Sequence, residues 1–387
     1  MKISLIKEIK KETDHFYLDI LGYFPEKTSL QQIPETQWND FATRRGLNPN
    51  SFGIYLPRNQ TAIIRDENPL SLFHEYFGHG LYCEQNLTGR KLINLEKILL
   101  EEERQKFSNS IFSLEDLQRF RKQSQTFQEL EKFKQENLGR YELFAVWTEY
   151  FLSDKFGFLK NFERKYDSMS KKDRETLESL INFSKSYGDL ATFYVQGMAR
   201  RTTAERVKRL LEDIYKDKLQ NVRFALLYGS KKEFSDIDVF IVGEELPRIS
   251  NEWIDVTIYN PLHFEYSVSM FDVAITDPLF SGEVVISRNN LEIKDYREKL
   301  KNQAITKEAV FYNLIKSKEQ LLFSLYFPEN SKERKIGINY SKTYFANYLA
   351  LKEGKRLFTK NELLSYLQKQ APAEGDKPLH LKGGKFK

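Results

Sequence analysis

The chain has 387 residues, of which 40% are hydrophobic and 14% are aromatic. A chain of this length is too long for a single ordinary hydrophobic core, so we expect two or three domains. The hydrophobic and aromatic fractions are sufficient to build cores, so disorder is not the default interpretation. Sixty Lys and Arg residues against 55 Asp and Glu residues give a formal charge of +5. This slight basic excess permits binding to nucleotides or RNA but does not by itself predict it.

Cysteine content and hydropathy predict a cytoplasmic protein that does not enter a membrane. Cys83 is the single cysteine, which excludes an internal disulfide and fits a reducing compartment. We expect it to be a small buried residue. Residues 1–8 carry charges where a signal peptide needs an apolar run. No segment approaches the roughly 18 apolar residues that a membrane helix needs.

The first part of the chain, to about residue 205, is predicted to be rich in helices. Short apolar runs around a Pro- and Asn-containing turn indicate one β-hairpin, and a charged stretch with helical periodicity follows. The predicted elements are strands at 52–56 and 61–64 around a turn at 57–60, a helix containing His74, a solvent-facing helical insertion at about 92–136, and a helix that begins near Arg140.

The second part begins with a basic helix and then turns to short apolar runs that indicate strands. A tail rich in Pro, Gly and Lys closes the chain and is predicted to be disordered. The predicted elements are a helix at 204–219, strands at 224–228, 239–242 and 253–258, helices from about Lys307, and the tail at 371–387.

The segment His-Glu-Tyr-Phe-Gly-His at 74–79 has the residues of a zinc-binding helix with unusual spacing. Zinc peptidases usually carry two histidines four residues apart with a Glu beside the first. His74 and His79 are five apart, which on a regular helix turns the second about 140° away from the first. A π-type widened turn restores convergence, and Gly78 makes that distortion cheap.

This longer His-Glu-x-x-Gly-His form resembles the helix of the dipeptidyl peptidase III family. Residues 142–151 resemble the second metal helix of gluzincin peptidases, closest to the lethal-factor and Mlc-titration-factor type, in which a Glu-x-Phe-Ala segment supplies a ligand. The resemblance covers roughly residues 50–155. It implies that Glu142 is the third zinc ligand and that Glu149, about two turns on, is a supporting or structural carboxylate.

The resemblance implies a Zn²⁺-dependent peptidase with a peptide or protein substrate. Zinc acidifies water, and Glu75 would act as the general base beside His74. Tyr141 and Tyr150 are both available to stabilise the oxyanion, and the sequence does not choose between them. The alternative is a structural helix whose two histidines lie in a core.

A second motif lies about 150 residues further on. Gly229 and Ser230 form the turn after one predicted strand, and Asp236 and Asp238 alternate on the next. Two aspartates that alternate on a strand point to the same face, which suits one or two Mg²⁺ ions on a triphosphate. Asp255, on the following predicted strand, offers a third carboxylate.

This pattern resembles the DNA polymerase β-like nucleotidyltransferases over residues 205–300. The resemblance implies that Gly229 and Ser230 contact the phosphates of an NTP. It also implies that Asp236, Asp238 and Asp255 hold Mg²⁺ or Mn²⁺, with Asp255 activating the acceptor hydroxyl.

Lys231 and Lys232 follow the Gly-Ser pair. Two roles remain open for them: they neutralise phosphate charge, or they are simply exposed. The alternative for the whole motif is an acidic turn between strands.

The sequence therefore predicts an α+β multidomain protein with two enzymatic sites, the second of which moves NMP from NTP onto a protein, RNA or small-molecule hydroxyl. One alternative keeps the nucleotidyltransferase alone, with a non-catalytic zinc domain; another is a non-enzymatic, antitoxin-like regulatory binding protein. The predicted domains are a helix-rich zincin-like domain at 1–205, a small mixed-sheet nucleotidyltransferase domain at 206–302 and a C-terminal helical domain at 303–370.

Overall fold

A computed structural model describes residues 5–66, 68–108, 113–167, 169–199, 202–230, 232–233, 235–251 and 253–370. These residues form a helix-rich α+β structure with two small sheets. They divide into two compact units. The first holds the described residues up to Asp217 with Ser230–Ile237 and Ser250–Asp255, and the second holds Lys218–Gly229, Asp238–Ile249 and the described residues from Val256 onward.

Helices make up most of the first unit. A π-helix follows the strands of a small sheet along the chain and precedes a long helix, α7 (Gln125–Phe156). The elements are α1 Leu5–Leu21, β1 Ser29–Ile33, α2 Glu35–Arg44, β2 Gly53–Leu56, β3 Thr61–Arg65, α3 Pro69–Ser71, a π-helix at Leu72–Gly80, α4 Leu81–Gln85, α5 Leu87–Phe107, α6 Leu114–Gln123, α7 Gln125–Phe156, α8 Leu159–Tyr166, α9 Lys171–Tyr187, α10 Asp189–Phe193, a π-type turn at Tyr194–Met198 and α11 Ala204–Tyr215.

The first sheet has the order β1-β3-β2, so β2 is an edge strand. The predicted hairpin is present: β2 pairs antiparallel with β3 across a 3₁₀ turn at Pro57–Asn59, and Gln60 takes a left-handed conformation. β1, which the sequence did not predict, pairs parallel with β3. The central strand buries Ala62, Ile63 and Ile64, which explains its β-branched sequence.

Aromatic side chains fill the core of the first unit around α7. Trp147 stacks on Phe151 at a centroid distance of 5.2 Å and meets Phe193 edge-on at 4.9 Å. Tyr17 of α1 contacts both Phe193 and Phe77 of the π-helix. Aromatic pairs of this kind add about 0.5–1.5 kcal/mol each beyond their buried area, so they fix the π-helix against α7.

The second sheet has the order β6-β5-β4-β7, and β4 pairs antiparallel with both β5 and β7. A 3₁₀ turn at Lys216–Asn221 leads into it. The elements are β4 Val222–Tyr228, β5 Ile237–Gly243, β6 Ile254–Tyr259, α12 Pro261–Ser269, α13 Val273–Ser281, β7 Glu283–Ser287, α14 Asn290–Asn302, α15 Lys307–Ser324, α16 Lys332–Lys352 and α17 Lys360–Gln370.

The helices after residue 303, predicted as a separate domain, belong to the second unit. Ala309 of α15 and Leu351 of α16 lie in one buried cluster with Phe224 of β4 and Phe264 of α12. Asp272, the N-cap of α13, accepts hydrogen bonds from the hydroxyls of α15 and α16 tyrosines at 2.6 Å. Helical periodicity alone does not reveal that these helices share the core of the sheet.

In the predicted helical insertion at 92–136, α5 buries one side, including Leu92, Leu95 and Leu99, and most of the other described residues of the segment are exposed or half-buried. One prediction about the helices of the first part is wrong: the helix that carries Glu142 begins at Gln125 rather than near Arg140. Its N-cap is Ser124, whose side chain accepts from the backbone N–H of Phe127.

Smaller differences concern element ends. The basic helix ends at Tyr215 rather than at 219, and Asp236 precedes β5 rather than lying on it. β7 was not predicted. Cys83 is buried, as expected, and none of the described helices is both long and apolar enough to cross a bilayer. The predicted disordered tail at 371–387 lies outside the described residues.

Candidate metal centre

The π-helix at Leu72–Gly80 carries both histidines of the first motif. A π-helix closes i→i+5 hydrogen bonds, so residues five apart stand above one another on one face. His74 and His79 accordingly lie close, with ring centroids 4.8 Å apart and planes at 90°. Asn68 caps the start of this helical stretch by accepting from the backbone N–H of Ser71. The widened turn that the spacing called for is present.

Gly78 sets the distance between the π-helix and α7. A Cβ at this position would lie 2.7 Å from the Cα and 2.9 Å from the Cβ of Ala145. Only a glycine permits this approach of two helix backbones, and Ala145 is itself small. Because Ala145 is three residues from Glu142, the contact brings that carboxylate to the histidines.

Glu142 lies between the two histidines. Its Oε2 is 3.7 Å from His74 Nε2 and 3.6 Å from His79 Nε2. Glu149, two turns further along α7 and fully buried, accepts a hydrogen bond from His74 Nδ1 at 2.9 Å. This bond orients the imidazole of His74 and turns its Nε2 toward Glu142.

The charge around His74 is negative. Burial lowers the pKa of His74, but the carboxylates of Glu142, Glu149 and Glu75 outweigh burial and raise that pKa to about 10. Carboxylates grouped in this way favour positive charge at this position, whether on a protonated His74 or on a bound cation.

The donor set fits zinc. His74, His79 and Glu142 each offer one atom, and these atoms lie within 4.8 Å of one another. Tetrahedral zinc with Zn–N bonds of 2.0–2.1 Å separates its ligand atoms by about 3.4 Å, close to the Glu142 distances. Within the described ranges, this is the one group of three or more such side chains that converges. Three protein donors leave one coordination position open, as catalytic zinc sites do.

Glu75 lies beside this group and is 8% exposed. It faces Gly53 of the edge strand β2, where a Cβ would lie 2.7 Å from Glu75 Cγ and 3.1 Å from Oε1. Sequence reasoning missed Gly53. The glycine at the start of a predicted strand was the available signal, because such a residue often marks a close approach.

The two tyrosines considered for the oxyanion separate in the structure. Tyr141 stacks on His79 with centroids 4.0 Å apart, whereas Tyr150 packs against Phe162 of α8. Tyr55 of β2, which sequence reasoning also missed, lies 6.2 Å from His79 between ring centroids. Burial raises the pKa of Tyr141 well above its usual range, so its hydroxyl stays protonated and able to donate.

The Gly229 turn of the second motif has a specific local geometry. Gly229 has φ 85°, and a Cβ there would overlap the carboxylate of Asp238. Tyr228 pairs with Asp238 across β4 and β5. Ser230 and Lys232 are exposed, and Ser230 Oγ accepts from the Lys232 backbone N–H at 3.2 Å.

The remaining residues of that motif are less closely grouped. Asp255 lies on β6, the neighbour of β5 in the sheet, and Asp236 precedes β5. In the described part of the chain, Asp236, Asp238 and Asp255 do not form a convergent set of donor atoms. Lys231 lies outside the described residues.

No family model, curated protein or solved structure matches the chain.

Proposed function

We propose that the first unit is a zinc-dependent peptidase. The observation that supports this most strongly is the convergence of His74, His79 and Glu142 on the π-helix and α7, with Glu149 behind His74. When bound, zinc would acidify water and polarise a carbonyl oxygen. His74, His79 and Glu142 would hold it.

The chain's own residues account for the proton transfers. Glu75 would accept a proton from the attacking water and return it to the leaving amine. Its contact with Gly53 brings it against the edge strand β2. An extended peptide that pairs with the edge of a sheet presents its carbonyls in a regular row. A substrate peptide paired with β2 would therefore have its scissile bond beside Glu75.

A metal-stabilised binding platform is the alternative for this unit. The burial of Glu75 beside the edge strand favours catalysis, because a platform needs the three ligands but no further carboxylate. A non-enzymatic regulatory protein would need none of these five acidic and imidazole groups in this arrangement.

Metal removal tests the peptidase proposal. We expect dialysis against a chelator to abolish cleavage of a mixed peptide pool by the full chain, and one equivalent of zinc to restore it. Product peptides would be detected by mass spectrometry. Cleavage that persists in metal-free protein would contradict the proposal, as would a zinc-loaded chain that cleaves nothing.

Nucleotidyl transfer is the second candidate function, and the Gly229 turn favours it. The positive φ of Gly229 and the absence of a side chain let the backbone of this turn come close to the Asp238 carboxylate. In this proposal Asp238 would contribute to holding Mg²⁺ or Mn²⁺ on an NTP. Gly229 and Ser230 would contact its phosphates, and the acceptor would be a protein, RNA or small-molecule hydroxyl.

Gly229→Ala tests this second candidate. The new methyl group would displace the Asp238 carboxylate, so we expect Mn²⁺ binding in the presence of ATP, followed by electron paramagnetic resonance, to weaken at least tenfold. Gly354→Ala is the matched control, since Gly354 also has a positive φ (76°) but meets nothing within 4 Å. Equal Mn²⁺ binding in both variants, or none in the wild type, would remove the support for nucleotidyl transfer.

A further inference from the structure

A cavity of about 160 Å³ opens beside the candidate metal centre in the first unit. Its walls come from β2, α4, α5 and α7. Most of the lining is apolar, contributed by the side chains of Tyr55, Tyr82, Leu92, Phe133, Leu138 and Tyr141.

Two walls of this cavity are shared with the metal centre. Tyr141 and Tyr55 both line the cavity, and both contact the ring of His79, at 4.0 and 6.2 Å between centroids. Tyr141 also directly precedes Glu142. A group in the cavity is therefore one aromatic ring away from the donor atoms. Consecutive Cα atoms of a peptide are 3.8 Å apart. A peptide whose scissile carbonyl lies beside His79 can therefore place the side chain of an adjacent residue in the cavity.

Size and charge determine what the cavity accepts. A cavity of about 150 Å³ lined by apolar side chains holds a benzene molecule. The charged residues at its wall are already paired: Glu96 meets Lys134 at 2.8 Å and Arg58 at 3.6 Å. No uncompensated charge on this wall would attract a Lys or Glu side chain, and burying one there would be costly.

We propose that this cavity is the specificity pocket of the peptidase site and takes one bulky apolar side chain, aromatic or long aliphatic, flanking the scissile bond. The proposal rests on the proposed peptidase function. It names the substrate class of that site: peptides with Phe, Tyr, Leu or Met next to the cleaved bond.

The test has a binding arm and a cleavage arm, both on the full chain. In the binding arm, N-acetyl-4-fluorophenylalanine amide is titrated into metal-free protein and followed by ¹⁹F NMR. In the cleavage arm, zinc-loaded protein cleaves a peptide library, and mass spectrometry reads the residues at the cut. Leu138→Trp fills the cavity from its 45% exposed wall. Lys132→Trp, on a 78% exposed side chain of the same helix, is the matched control.

We expect the fluorinated probe to bind wild type and the Lys132 variant, and to lose at least tenfold in affinity with Leu138→Trp. Cleavage should favour bulky apolar residues, and Leu138→Trp should shift the preference toward Ala and Gly. Cleavage without side-chain preference would overturn the pocket and leave the peptidase standing. If zinc-loaded protein cleaves nothing, the peptidase proposal fails, and with it the role of the cavity in peptidase specificity. If the probe binds all three proteins alike, the cavity is not the binding site for a bulky apolar side chain.

Discussion

Replacing Glu75 by glutamine is expected to lower peptide hydrolysis by about 10²–10⁴-fold, the range that a positioned general base contributes. The zinc content should not change, because Glu75 lies outside the donor group of His74, His79 and Glu142. Glutamine has the same shape and still fits against Gly53, but its amide cannot accept the proton. The measurements are kcat/KM on a cleaved peptide and zinc per chain by mass spectrometry.

Glu136→Gln is the matched control for this variant. Glu136 is an exposed residue of α7 whose side chain is 60% accessible, so the same chemical change there should alter neither rate nor zinc content. Full hydrolysis by the Glu75 variant would contradict the assigned base. Loss of zinc together with activity would mean that Glu75 is a ligand.

The second large effect is expected for Gly78→Ala. The added methyl group would lie 2.7–2.9 Å from Ala145, so α7 must move away from the π-helix. Overpacking of this kind costs about 1–3 kcal/mol in the free energy of unfolding. Because α7 carries Glu142 and Glu149, the same displacement should weaken zinc binding. Thermal or urea unfolding and zinc titration measure the two effects.

Gly139→Ala separates the contact from the general effect of the substitution. Gly139 lies in α7 as well, but a Cβ there would meet nothing within 4 Å. Alanine is favoured over glycine in a helix by about 0.5–1 kcal/mol, so this variant should be slightly more stable than wild type and bind zinc normally. Similar destabilisation of both variants would contradict the role given to the Gly78–Ala145 contact.

The π-helix could be predicted because its cause is local. Two histidines five residues apart with a Glu and a Gly between them converge only on a widened turn, so the residues themselves call for that geometry. The strands 53–56 and 61–65 were also predictable, since their apolar runs and the intervening turn lie within 13 residues. Local patterns therefore gave the hairpin and the helix that carry most of the site.

The start of α7 could not be predicted from the same kind of pattern. Gly139 stands just before the predicted start at Arg140 and weakens a helix by up to about 1 kcal/mol. In the folded chain α7 continues through Gly139, because the turns of α7 before this glycine are anchored by the buried side chain of Leu130. Tertiary packing outweighs the local preference, as it often does for helices.

The residues around the candidate metal centre that the sequence missed depend on long-range pairing. β1 has the sequence Ser-Leu-Gln-Gln-Ile, and only Ile33 is buried, so no alternation marks it as a strand. It is held by parallel pairing with β3, whose residues lie 32 positions further on. Gly53 and Tyr55 reach Glu75 and His79 through this sheet, and periodicity contains no information about such contacts.

Zinc per chain, in protein purified without added metal, tests the central claim most directly. We expect close to one zinc in wild type, close to none in His79→Ala, and an unchanged value in His15→Ala, which removes an exposed histidine outside the site. Circular dichroism should confirm that both variants remain helical. Zinc retained by a folded His79→Ala variant, or absent from all three proteins, would contradict the assignment of the π-helix and α7 as a metal centre.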